Sequence, residues 1–194
     1  MIYLMAGSFS FILFLLFDLN QLRNISRSFR SFFFLGSGLL AAATIRLLLQ
    51  EGWGNTPFLP QLGGAVGMAL ALGLLIHSLF IALGFQESYL QEGEGKVLVT
   101  WGAYSLCRHP GVLWFAFFYL SLWLFSGSSL LLQAGLLWSL LNVLYALFQD
   151  RYILPRLFPA YPAYRQTTPF LLPTRASFMG FLGFQGRERN THEL

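Results

Sequence analysis

Apolar residues run along this chain in long blocks, with no period-two alternation and few polar interruptions. A bilayer core about 30 Å thick needs about 20 mostly apolar residues per helix, because backbone polar groups find no water there. Five blocks meet or approach that length: Ile2–Phe17, Phe32–Leu49, Gly63–Phe85, Val112–Phe125 and Leu130–Phe148. The fourth is short, and the uncharged "SGSS" at 126–129 joins it to the fifth, which predicts a tight helical hairpin. The first block lacks a positive flank ahead of it, and its basic cluster follows instead, so it reads as an uncleaved helix rather than a leader. The expected fold is all-α: a multi-pass transmembrane bundle of about five helices, with a C-terminal hairpin and an interfacial segment.

Composition agrees. Of 194 residues, 56% are hydrophobic, only 10% are charged and 21 are phenylalanine, which is poor in charge for a water-soluble domain. The net charge is +4, but its placement says more than its sign. Arginines 23, 27 and 30 follow the first block, Lys96 and Arg108 follow the third, and Arg151, Arg156, Arg165, Arg175, Arg187 and Arg189 follow the fifth. Positive residues stay on the cytoplasmic side, so the N-terminus is expected outside and the C-terminus inside. No nucleic-acid partner and no obligate protein partner are inferred, and Cys107, alone in the chain, cannot form an internal disulfide.

The organisation is a single membrane domain over 1–194, with three N-terminal helices in 1–85, a second half around the hairpin in 86–175, and a flexible tail over 176–194. Within 149–175, aromatics, prolines and arginines mix in a way that suits the headgroup region. Gly63, Gly67 and Gly73, with Ala69 between them, supply small residues for close helix approach, as does Gly36.

A charged group at a membrane helix centre costs about 2.5–3.5 kcal/mol on insertion scales, so each intramembrane ionisable residue is a functional candidate. Arg46 lies near a helix end, where its stem can snorkel. His77, beside Ser78, reads as a neutral histidine bonded to a neighbouring helix. Asp150 closes the fifth helix, where an acid opposes the macrodipole; a local ion pair, solvation or a functional role would each account for it. Pro110 suits the first turn of the fourth helix. Arg108 and His109 then stand at unpaired amides and the positive dipole end, a place suited to an anion such as a carboxylate or phosphate; simple anchoring and capping are the competing explanation.

The string "VLVTWGAYSLCRHP", a helical hairpin, and then "FPAYPAYRQTTPFLLP" together resemble the integral-membrane methyltransferase superfamily of isoprenylcysteine carboxyl methyltransferases and phospholipid N-methyltransferases. The matching positions are Leu98, Val99, Thr100, Gly102, Tyr104, Arg108, His109 and Pro110, then Leu154 and Phe158, then Tyr161, Tyr164 and Pro169. The resemblance covers about residues 84–173. It implies an S-adenosylmethionine site on the cytoplasmic side and a lipid or lipidated substrate arriving sideways from the bilayer. Tyr104, Arg108, His109, Asp150, Tyr161 and Tyr164 would bind the cofactor, with Asp150 and His109 as catalytic candidates and no metal required. The family's paired glutamates are Asp150 and Arg151 here, its tyrosine and glycine after R-H-P are Val112 and Trp114, and Pro159 replaces a glycine. Two other readings compete: a noncatalytic relative that binds a partner or lipid, and an NADPH-dependent membrane sterol-type reductase, to which Tyr161 and Pro162 also conform.

Overall fold

The computed structural model describes residues 1–23, 25–51, 56–82 and 98–182, and the described residues contain helices and turns but no strand. The helices are α1 (Ile2–Arg23), α2 (Ser31–Glu51), α3 (Phe58–Ile76), α4 (Ala103–Leu106), α5 (Pro110–Ser126), α6 (Ser129–Phe148), α7 (Leu154–Leu157) and α8 (Tyr161–Thr167), with α9 over 175–182. The five long ones coincide with the five apolar blocks. Four are long and apolar enough to cross a membrane, and α5 is the shorter fifth. The expected end of the third block at Phe85, the loop to Val97 including Lys96, and the tail beyond Leu182 lie outside the described residues.

Large apolar side chains such as Ile45, Leu49, Val66, Leu70, Leu120, Leu136 and Leu140 point outward, as they do when the surrounding solvent is lipid. Arg46 is exposed, in keeping with a stem reaching the interface. His77 is also exposed and, among the described residues, bonds to no neighbouring helix. The π-helical turn at His77–Ala82 carries Ser78 inward in its place.

The hairpin turn is set by local chemistry. Gly127 adopts φ +69°, and its N–H donates to the Trp123 carbonyl, a left-handed cap that a glycine takes without strain. Ser128 then caps α6 by accepting from the Leu131 N–H and donates to Glu51 at 2.9 Å. Thr56 donates to the Phe125 carbonyl at 3.0 Å. The ends of α2 and α5 and the starts of α3 and α6 therefore share one end of the bundle. The last turn of α1, the start of α2 and the ends of α3 and α6 share the other, with the start of α5.

Inside, Trp138 is fully buried against Gly7, where an added Cβ would fall within 2.1 Å of the indole. Its Nε1–H donates to the Leu4 carbonyl at 3.3 Å, and its ring meets Tyr119 edge-on with centroids 5.4 Å apart. The hydroxyls of Tyr119 and Thr44 join α5 to α2 at 2.7 Å. Gly36 also makes the expected close contact, against Phe14 and the Ser10 carbonyl. On α3 the expected Gly67 presses on α5 at Ser121, and Gly64 joins it against Ser121 and Phe125, while Gly63 and Gly73 face open space. Gly63 and Gly64 stand four and three residues before Gly67, and only the helix rotation distinguishes them.

Residues 175–182 form a helical turn inside the segment 176–194 expected as a tail. A reciprocal cap holds this turn: Thr174 Oγ1 accepts from the Ser177 N–H at 3.2 Å, and Ser177 Oγ accepts from the Thr174 N–H at 2.9 Å.

Gly64→Ala places a Cβ about 2.5 Å from the Phe125 amide nitrogen, which is backbone and cannot yield. It is expected to cost about 1–3 kcal/mol, while Gly63→Ala and Gly73→Ala are neutral or gain up to about 1 kcal/mol. Unfolding of the three variants in mixed detergent, followed by tryptophan fluorescence, measures the difference.

Candidate functional site

Two segments far apart in sequence, 98–110 and 149–170, meet at the end of the bundle where α5 begins. Tyr104 places the first, its hydroxyl donating to the Ser78 carbonyl of the π turn after α3 at 3.1 Å. Tyr164 ties the second to it by donating to the Tyr104 carbonyl at 2.6 Å. Leu98, Leu154, Leu157, Phe158, Tyr161 and Tyr164 pack into one apolar cluster beneath. The amides of Arg108 and His109 donate to the Pro169 and Phe170 carbonyls at 2.9 and 3.2 Å. Those amides were expected to face an external anion; the chain engages them itself, because the strap after α8 returns across the start of α5.

The second segment leaves α6 through a π-helical turn, Gln149–Ile153. Such a turn fits an extra residue into the helix and is frequent at functional sites. Its consecutive polar residues meet different partners. Gln149 Nε2 donates to Asp18 Oδ2 on α1 at 2.8 Å, and Asp150, 2% exposed, turns to Arg108.

Asp150 is held from four directions. Arg108 grips it with two bonds, Nε to Oδ1 at 2.8 Å and Nη2 to Oδ2 at 3.2 Å, the paired geometry in which guanidinium binds carboxylate best. The Tyr161 hydroxyl donates to Oδ1 at 2.6 Å. Arg165 Nε lies 3.4 Å from Oδ2, and His109 Nε2 is 3.5 Å from Oδ1 without making a hydrogen bond. Arg108 Nη1 donates onward to the Arg165 and Thr168 carbonyls at 2.9 and 2.5 Å. The anion on Arg108 in this structure is thus the chain's own Asp150, and the exposed Arg151 takes no part in that grip.

Burial and the neighbouring carboxylate hold the Tyr161 phenol in its neutral form well above its ordinary range. Burial does the same for Tyr164 and pushes the Cys107 thiol up to about 11.

Above this network lies a cavity of about 600 Å³ bounded by α1, α2, α3, α5 and α6. Its walls are largely apolar, with Phe11, Phe14, Phe33, Leu40, Leu75 and Phe115 among them. Tyr104, Arg108, His109, Tyr161 and Tyr164 all reach its edge, whereas Asp150 stands behind them and does not line it. Ala41 and Ile45 of α2 and Leu72 and Ile76 of α3 both line it and are exposed. The cavity therefore opens sideways between two helices that scarcely touch. Trp114 stays out of the lining, its indole N–H donating to Ser78 Oγ at 3.2 Å.

Asp18, Asn142 and Gln149 line the cavity too, and the sequence reading passed over all three. Asp18 falls one residue beyond the apolar block that ends at Phe17, and α1 runs on through it to Arg23. The readable signal is an acid followed two and three positions later by Asn20 and Gln21, inside a helix that has not yet met a breaker. Among the described residues no cluster of histidine, cysteine and acidic side chains could hold a metal ion. No protein-family profile, curated protein or solved structure matches the chain.

Asp150→Ala strands a buried guanidinium, so it is expected to lower stability by about 3–5 kcal/mol, and Arg108→Met combined with Asp150→Leu to recover most of that loss. A double-mutant cycle on unfolding in detergent reads both effects. Cys107, Tyr161 and Tyr164 all keep their protons longer when folded, so the unfolded chain releases protons first. Stability accordingly falls as pH rises from 9 to 11. Melting curves across that range check the sign.

Proposed function

We propose that this chain transfers a methyl group from S-adenosylmethionine to a lipid or lipidated substrate lodged in the sideways-open cavity, on the cytoplasmic side of a membrane. One observation carries the reading: Tyr104, Arg108, His109, Tyr161 and Tyr164, picked out by resemblance to membrane methyltransferases, converge on the edge of one apolar cavity. The orientation follows from the arginines, since residues 23, 27, 30, 108, 151, 156 and 165 all belong to the site's end of the bundle.

The residues present suit both ligands. Asp18 Oδ1 is buried on the cavity wall with no hydrogen-bond partner among the described residues, and a buried polar atom left unpaired points to a group still to come. S-adenosylmethionine, when bound, supplies an electrophilic methyl group on a sulfonium. The tyrosine rings at the edge offer faces for that cation, and His109 Nε2 offers one hydrogen bond to the cofactor or a place for a proton from the acceptor. Arg108 and Asp150 act as positioning residues, holding the start of α5 and the strap together so that the edge keeps its shape. Apolar walls exclude water, and alignment in a dry pocket accounts for most of what such a displacement needs.

A second reading, a noncatalytic lipid-binding relative, draws on a specific feature. Arg108 is engaged by Asp150 and two carbonyls, and Arg151 stands where the family has its second glutamate.

Calorimetric titration of the detergent-solubilised protein with S-adenosylmethionine, S-adenosylhomocysteine and NADPH separates these. Binding of the first two is expected, weakened about tenfold by His109→Ala through loss of one hydrogen bond. A folded protein giving no heat with either sulfur compound rejects methyl transfer in favour of the second reading.

A further inference from the structure

Among the described residues, two carboxylates are buried, in unlike circumstances. Asp150 is neutralised from within by Arg108 and Arg165. Asp18, fully buried on α1, has no basic side chain paired with it among the described residues. Its Oδ2 accepts from Gln149, and its Oδ1 has no hydrogen-bond partner although the residue lines the cavity. As a carboxylate oxygen, Oδ1 lacks a donor. In a membrane such a group is costly, and such residues characteristically mark ligand paths.

The surroundings suggest which ligand completes it. Phe14, Phe17, Phe33 and Tyr145 also line the cavity. Phe33 lies 5.8 Å from Phe14 and 5.6 Å from Phe17, and Tyr145 lies 6.0 Å from Phe14, between ring centroids. Tyr145 further joins the Asp18 network by accepting from Gln149 Nε2 at 3.0 Å. Aromatic rings grouped beside a buried acid are the surroundings that bind alkylammonium ions, by cation–π attraction and charge together.

We propose that Asp18, with the ring group of Phe14, Phe17, Phe33 and Tyr145, is a subsite for the ammonium end of an apolar amine whose hydrocarbon part fills the cavity. This rests on the cavity being a ligand site, and holds whether or not the chain transfers methyl groups. An ammonium N–H donates to Oδ1 and supplies the charge that no side chain provides, while a matched alcohol supplies only the hydrogen bond. Within the methyl-transfer reading, the acceptor atom is then the nitrogen, which takes the methyl group as the free amine after passing one proton to Asp18.

Hexadecylamine and hexadecanol, titrated below their aggregation concentrations into the full chain in neutral-lipid nanodiscs, test this with hydrocarbon length held constant. The wild type is expected to prefer the amine by about tenfold or more, as charge-assisted bonds exceed neutral ones. Asp18→Asn keeps an acceptor for Gln149 and is expected to bind the alcohol unchanged while losing the preference. Phe14→Leu is expected to reduce the preference with the acid in place, and serves if Asp18→Asn does not fold. Equal wild-type affinity for both probes, or a preference that survives Asp18→Asn, overturns the subsite and leaves the cavity standing. Failure of both probes to bind overturns the cavity reading and the subsite together.

Discussion

The two-pronged grip of Arg108 on Asp150 is the constraint on which the rest of the site depends. It joins the first residues of α5 to the π turn ending α6, and through Nη1 it also gathers in the carbonyls of Arg165 and Thr168. Without it, the strap over residues 165–170 would keep its amide bonds at Arg108 and His109 but lose the charge that draws it inward. The pair is nearly dry, so its net worth as stabilisation is modest beside the cost of breaking it. Its contribution is chiefly to specify one arrangement of the C-terminal segment, and with it the tyrosines along the cavity edge.

Both π turns fall at this end of the bundle. One follows α3 and brings Ser78 under Tyr104 and Trp114; the other follows α6 and sends Gln149 and Asp150 to different neighbours. A straight α-helix would carry its polar residues out of the lipid along a single line. The altered winding lets polar side chains stay inside, bonded to the chain, while the apolar exterior remains continuous. The opposite end, with its glycine cap and serine N-cap, needs no such adjustment.

Helix number, the hairpin and the basic pair at the site edge were legible in the sequence because each depends on local composition: runs of apolar residues, an uncharged serine–glycine turn, a proline at a helix start; Tyr104, Tyr161 and Tyr164 were implied only by the resemblance to membrane methyltransferases. What escaped depends on rotation and end effects. Gly64 and Gly63 are indistinguishable until the helix is turned against α5. Asp18 falls outside the apolar block because a hydropathy run ends at the first charge, whereas the helix continues another turn. Asp150 was recognised as anomalous, but its partner lies 42 positions away, beyond what any local spacing rule relates. The cap formed by Thr174 and Ser177 was readable in principle, and was overshadowed by the polar tail that follows.

The gap between α2 and α3 governs selectivity for any chain-bearing molecule that settles there. A closed pocket measures its guest along the full length, since every added methylene meets a wall. A slot unsealed along its flank has no such ruler, because surplus hydrocarbon simply remains among the acyl chains outside. Discrimination then falls to the polar terminus alone, and molecules sharing a head but differing in tail are indistinguishable to this fold.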